Sequence, residues 1–228
     1  MSEQRRRPTA GVRAGHALGR VIAHGVWATR VLGAHRVPTT GPVLLAANHT
    51  GVIDGPVLVG ASPRPVHMLI KQEMFSGALG ALLRALDQIP VDRDNARTAL
   101  GAGLEVLKRG GVVGIFPEGS RGKGDAADAR AGITWLALNG NAPVVPVAVL
   151  GTRRTGQGVN HLPRMRRRLV VAFGEPVVVE RAPRVSGRQA MIEANERIRD
   201  ALALHVAATV EATGLTLPAD APLSAEAP

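Results

Sequence analysis

Val43-Leu44-Leu45-Ala46-Ala47-Asn48-His49-Thr50-Gly51-Val52-Ile53-Asp54 is the stretch on which the fold turns. Its first five residues are apolar without alternation, so they read as a short strand with no polar face. Residues 48–51 break that strand, and helix-like sequence runs from about Asp54 to Gly60. A strand apolar on both sides is covered on both sides, as in a parallel sheet between helical layers. The alternation continues down the chain. Residues 66–70, 89–91, 112–116, 144–150 and 169–173 read as strands, with 177–179 as a late addition. Residues 72–86, 96–109, 130–139 and 189–213 read as helices. In the second of these Leu100, Leu104 and Leu107 share one side, and Gly110-Gly111 stops it. The pattern predicts an α/β fold with a mostly parallel central sheet flanked by helices.

Residues 1–36 differ in character, holding seven Arg against one acid, Glu3. Leu18, Val21, Ile22, Val26 and Leu32 fall near helical spacing, with Trp27 and Val31 beside them. This segment reads either as a basic amphipathic helix in the headgroup plane of an anionic bilayer, with Trp27 at the interface, or as a helix docked on its own domain. The expected division is 1–36 as that helical segment, 37–214 as the α/β domain and 215–228 as a Pro/Ala-rich disordered tail. No stretch offers the roughly 20 mostly apolar residues of a membrane span. No apolar core of a signal peptide follows Arg5–Arg7. The expectation is a protein that is soluble or lies on a surface.

The 228 residues are 45% hydrophobic and 20% charged, a globular composition. Lys+Arg 28 against Asp+Glu 18 leaves a net charge of +10, which points to an anionic partner. Aromatic residues are 2%, with no Tyr, three Phe and two Trp, so there is little to stack on bases and nucleic acid is disfavoured. With Cys 0, disulfides, Cys-ligated metal and a Cys nucleophile are excluded. A basic adaptor that binds anionic membrane or nucleic acid by charge alone is the non-enzymatic alternative.

Three strand-end loops are chemically dense: 48–55, 90–95 and 117–124. His49 and Asp54 can meet if His49 ends a strand and Asp54 begins the next helix. The carboxylate would then hold one imidazole nitrogen and leave the other as base. The plainer alternative is a His in a polar loop and an Asp capping a helix. The chain has no His-Glu-x-x-His, no Gly-x-Ser-x-Gly, and Gly122-Lys123 is followed by Gly124, so zinc-protease, nucleophile-elbow and Walker readings fail. Without a covalent nucleophile, a His base would act directly on a substrate hydroxyl. Arg93 and Arg121 suit phosphate oxygens, or a solvated surface, and Glu118 can accept from a hydroxyl. Residues 153–168 hold six Arg and no acid, and within them the Arg164–Arg168 cluster, Met165 aside, reads either as a CoA-phosphate or lipid-headgroup patch or as a solvated basic edge. His16, His24, His35, His67, His161 and His205 show no ligand spacing and read as surface or satisfied polar sites, and Trp135 reads as core.

Four blocks in order change the weighting: residues 48–54, Ile89-Pro90-Val91-Asp92-Arg93, Phe116-Pro117-Glu118-Gly119-Ser120-Arg121, and Val144-Val145-Pro146-Val147. Over residues 41–176 the chain resembles the glycerophospholipid acyltransferases, most closely the bacterial 1-acyl-sn-glycerol-3-phosphate (lysophosphatidate) acyltransferases. Ser120 stands where that family commonly has Thr. The resemblance implies acyl transfer from acyl-CoA or acyl carrier protein to the sn-2 hydroxyl of a lysophospholipid, without a covalent intermediate, metal or cofactor. It casts His49 as base and Asp54 as its orienting partner. It assigns Arg93, Glu118, Ser120 and Arg121 to the acceptor loops, with Gly119 keeping its loop tight and Lys71 adding charge. Val145 and Pro146 fall to the donor side. A family fold of this kind pairs the sheet with an N-terminal helical part at the membrane. The implied location is the cytoplasmic face of the cell membrane, held peripherally on anionic lipid. The second block departs from the pattern, because Gln88-Ile89-Pro90-Val91-Asp92 leads to Arg93 where members often carry a Gly and a Phe. Glycerol-3-phosphate, another lysophospholipid or a specialised alcohol or amine are therefore alternative acceptors.

Overall fold

The computed structural model describes residues 8–92, 96–117, 131–180 and 185–220. The strands are β1 (Ala28–Leu32), β2 (Val43–Ala47), β3 (Val66–Lys71), β4 (Ile89–Val91), β5 (Val112–Ile115), β6 (Val144–Leu150) and β7 (Arg168–Phe173). They form one sheet in the order β1-β7-β6-β2-β5-β3-β4. All neighbours are parallel except β6 and β7, which pair antiparallel with Leu150 opposite Val170. That topology brings the C-terminal ends of β2 to β6 to one edge of the sheet. Because β7 is reversed and β1 runs parallel to it, both begin at that same edge. β2 and β6 are buried at every position, as a fully apolar strand requires.

The helices are α1 (Ala10–Arg20), α2 (Asp54–Ala61), α3 (Gly77–Ala85), α4 (Ala96–Lys108), α5 (Ala131–Gly140) and α6 (Gly187–Thr213). α4, α5 and α6 cover one face of the sheet, α2 covers the other, and α1 packs on α2. In α6 the buried residues Ala190, Ala194, Ile198, Leu202 and Val206 recur every four positions, giving a single stripe towards the sheet. Ser186 accepts from the Gln189 N–H at its start, and Gly214, at φ 67°, ends it.

Several sequence expectations need correction. Residues 1–36 are not one helical segment. α1 runs on through a π-helical turn, Val21–Val26, and the chain then becomes the edge strand β1. The β-branched Thr29 and Val31 suit a pleated edge, and their pairing with β7 outweighs the helical spacing. Trp27 is not at an outer interface: it is buried, and its indole Nε1 donates to Pro163 O at 3.2 Å. Residues 72–86 divide into a 3-10 turn, Gln72–Phe75, and α3, because Ser76 is extended and Gly77, which opens α3, takes φ 56°. Residues 177–179 contribute only a bridge from Val177 to Val144. The tail is ordered as far as it is described. Leu215 and Leu217 pack on the core beneath α4–α6, and Thr155 Oγ1 and Asp220 Oδ2 accept from Ala219 N and Gly156 N. Residues 221–228 lie outside the described residues.

The contact of α1 on α2 depends on two glycines. A Cβ at Gly60 would lie 2.0 Å from Gly19 O, and one at Gly19 would lie 2.8 Å from Gly60 N. Backbone meets backbone here, so no side chain can swing aside. Gly60→Ala is expected to destabilise the protein by about 1–3 kcal/mol, as overpacking does, seen as a lower urea midpoint with an unchanged slope.

Candidate active site

The site begins where β2 stops. The Asn48 N–H still donates to Val147 O at 3.4 Å, and from there the Asn48 side chain continues the pairing in place of the main chain. Asn48 is fully buried; its Nδ2 donates to Val149 O at 3.2 Å and its Oδ1 accepts from Val149 N at 2.7 Å. A primary amide thus supplies the donor and acceptor of a missing peptide group, extending the ladder on β6 by one rung. His49 can then project from a fixed strand end.

Asp54, the first residue of α2, is fully buried. Its Oδ2 accepts from His49 Nδ1 at 2.9 Å, Thr50 N at 2.6 Å and Gly51 N at 2.8 Å. The helix N-terminus adds favourable dipole to this carboxylate. The capping alternative is not what the structure shows: Ile53 is the N-cap residue of α2 and no side chain caps that helix, while the Asp54 carboxylate turns back to the Thr50 and Gly51 amides of the preceding loop and to the imidazole. An N–H at Nδ1 facing a carboxylate leaves the ring lone pair on Nε2. Phe116, just past β5, stacks on the imidazole with centroids 4.0 Å apart and planes 10° from parallel. The ring is held at one edge by a hydrogen bond and on one face by an aromatic, with its side chain 14% exposed.

The loop is pinned from beyond β6 as well. Thr50 Oγ1 and Thr152 Oγ1 are 3.0 Å apart, and Val52 N donates to Val159 O at 3.0 Å. Behind Gly51 lies Arg153, 1% exposed, whose guanidinium donates to Gln157 O and Asp220 O at 3.0 and 3.1 Å and pairs with the Asp220 carboxylate. The first arginine of the 153–168 run is therefore a buried anchor for the tail.

Lys71 is the last residue of β3, at the edge that carries His49. Arg93, Glu118, Gly119, Ser120 and Arg121 lie outside the described residues. The elements leading to them, β4 through Asp92 and β5 through Pro117, end at that same edge. Val145 and Pro146 are not brought there. They are buried in the middle of β6, opposite Leu45 and Ala46, where they support β2 from within the sheet. His67 and His205 are satisfied polar sites, as their lack of ligand spacing leads one to expect. They contact Asp87 O at 2.7 Å and Ala172 O at 2.8 Å, and burial holds both pKa values below the ordinary histidine range. Asn48, Phe116, Thr152 and Arg153 were given no role from sequence. Only the first two had a signal, as neighbours of the motif residues. Among the described residues no group of three or more His, Cys, Asp or Glu could hold a metal ion.

Residues 28–150, more than half of the chain, match the acyltransferase family. The chain belongs to that acyltransferase family. This makes it an enzyme and displaces the reading as a non-catalytic basic adaptor. The acyltransferase is 30% identical over 178 residues to the 1-acyl-sn-glycerol-3-phosphate acyltransferase of Bacillus subtilis, a match covering 75% of this chain and 86% of that protein. It is 32% identical over 136 residues to the protein of that name from Pseudomonas aeruginosa, covering 54% of this chain and 52% of the relative. Its fold is shared with the crystal structure of the 1-acyl-sn-glycerophosphate acyltransferase of Thermotoga maritima. There the TM-score is 0.62 at 19% identity, over 84% of this chain and 78% of that one. No helix among the described residues is long and apolar enough to cross a membrane.

Proposed function

We propose that this acyltransferase moves a fatty acyl group from an acyl thioester, acyl-CoA or acyl carrier protein, to the sn-2 hydroxyl of 1-acyl-sn-glycerol-3-phosphate, giving phosphatidate. The observation that carries this reading is the His49–Asp54 hydrogen bond under the stacked Phe116 ring. His49 Nε2 takes the proton of the acceptor hydroxyl as its oxygen bonds to the thioester carbonyl carbon. Asp54 steadies the imidazolium so formed. The tetrahedral intermediate collapses with loss of the C–S bond, and the proton passes from His49 to the departing thiolate. The acyl thioester is the only co-substrate this chemistry requires, and no metal or cofactor takes part.

In this proposal Arg93, Arg121 and Lys71 attract the acceptor phosphate and Glu118, with Ser120, holds its glycerol part. Fixing the phosphate brings the hydroxyl to attack distance. The β3, β4 and β5 ends that converge on His49 support the assignment. Residence on the cytoplasmic face of the cell membrane belongs to the same reading. α1 buries Val12, Gly15 and Gly19 against the domain and leaves Leu18 exposed beside Arg13 and Arg20, with Val21, the first residue of the π-helical turn, exposed next to it, as an interfacial helix does.

The test is thiol release from oleoyl-CoA with a panel of acceptors: lysophosphatidate, glycerol-3-phosphate, lysophosphatidylcholine and a simple alcohol. Lysophosphatidate is expected to give the highest kcat/KM. Arg93→Ala and Arg121→Ala are each expected to raise the acceptor KM by about 10–100-fold, the loss of charge-assisted hydrogen bonds, while the donor KM stays within about threefold. Turnover equal with the uncharged alcohol would remove the phosphate site from the proposal.

A further inference from the structure

The segment between β6 and β7 has a feature that catalysis does not use. Leu162 is 66% and Met165 75% exposed, the largest exposures of any big apolar side chain in this part of the molecule. Arg154, Arg164, Arg166 and Arg168 are exposed around them, and no acid occurs from residue 153 to 168. We propose that residues 158–168 form a lipid-docking loop. Leu162 and Met165 enter the headgroup region of an anionic membrane, and Arg164 and Arg166 bind its phosphates.

Exposure here does not come from a loose loop. Pro163, between Leu162 and Arg164, is buried and its carbonyl accepts from the Trp27 indole. Arg166 N donates to Val26 O at 2.8 Å, and Ala28 N donates to Arg167 O at 3.0 Å. The loop is thus fastened to the π-helical turn and to β1, and its apolar side chains are presented outward from a fixed base. Positive charge is in local excess. Burial first, and then the charge of Arg154, hold the Arg167 guanidinium below its ordinary pKa.

Two large apolar side chains set among exposed arginines are the chemistry of an anionic lipid surface. A free phosphate, or the phosphates of coenzyme A, would use the arginines and leave Leu162 and Met165 without purpose. The position fits as well. β6 ends and β7 starts at the sheet edge that bears His49, and Val159 O accepts from Val52 N inside the catalytic loop. A bilayer touching this loop would lie beside the site at which a lipid acceptor reacts. That consequence rests on the acyltransferase reading given above; binding to the surface does not.

The test is sedimentation of the full chain with vesicles of phosphatidylcholine, with or without phosphatidylglycerol, in the absence of substrate. Arg164→Gln with Arg166→Gln is expected to weaken binding to the anionic vesicles by about 30-fold, at roughly fivefold per lost charge, and to flatten its salt dependence. Leu162→Ser with Met165→Ser is expected to weaken binding by at least about tenfold through lost apolar insertion. Arg188→Gln with Arg197→Gln, two exposed arginines on α6, serves as a control of equal charge and is expected to change binding less than about threefold. All the altered side chains are exposed, so an unchanged Tm shows that the fold is kept. Wild-type protein that fails to sediment, loop variants that bind as wild type does, or a control that weakens binding equally would each overturn the proposal. So would unchanged sedimentation with a raised KM for acyl-CoA, which would give the loop to the donor. Absence of acyl transfer to lysophosphatidate would remove the substrate assignment and leave the sedimentation result standing.

Discussion

His49→Ala is expected to lower kcat by about 10²–10⁴-fold, the range for loss of a general base, with the substrate KM values little changed. The fold should survive the substitution. The His49 side chain is not a core element, and its removal leaves Asp54 Oδ2 with the Thr50 and Gly51 amides. Phe116 loses a stacking partner but keeps its place after β5. The residual rate would come from holding acceptor and thioester together, which does not require a base. The measurement is single-turnover acyl transfer at saturating donor and acceptor, on protein whose Tm matches wild type. Near-normal turnover would mean that the imidazole only fills the space beneath Phe116, and the base assignment would be withdrawn.

The sequence disclosed this pair because both partners lie in one short block, between a strand and a helix that are readable separately. A wholly apolar run such as residues 43–47 has few structures open to it besides a covered strand, and the alternation of such runs with amphipathic helices fixes the layer order. β1 was hidden for the opposite reason. Its Val31 and Leu32 fall within a helical spacing that starts at Leu18, and only β7, more than 130 residues later, makes residues 28–32 a strand. Arg153 was hidden in the same way, because its carboxylate partner, Asp220, is 67 residues away in a tail whose composition suggests disorder. The buried Trp27 finds its hydrogen-bond partner in Pro163 O, 136 residues on. Local pattern reports which face of an element is apolar, but not which distant element will cover it. The role of Asn48 was within reach, since a buried Asn at a strand end has four hydrogen-bonding positions to satisfy. Its partner on β6 could not be named without the register.

Asp54→Asn should be nearly as damaging as loss of the base itself. The amide is the same size, so the loop can close over it, and its oxygen can still face the Thr50 and Gly51 amides. The negative charge is lost. Nothing then offsets the imidazolium that forms as the hydroxyl proton is taken, and the Nδ1–H tautomer is no longer enforced by an anion. A drop in kcat of about 10³–10⁴-fold is expected, the scale found when a carboxylate orienting a catalytic imidazole becomes an amide. Stability should fall by about 1–3 kcal/mol, because charge-assisted hydrogen bonds inside the protein become neutral ones, so kcat must be scaled to the folded fraction. The decisive comparison is the double variant. If Asp54 acts through His49, then His49→Ala with Asp54→Asn will be no more than about tenfold slower than His49→Ala alone, as expected for residues working as a unit. Two losses that multiply in full would mean that Asp54 serves the reaction by a route that bypasses the imidazole, for example by shaping the loop that binds substrate. In that case the 2.9 Å contact between the two side chains would be a consequence of packing, not the source of the base.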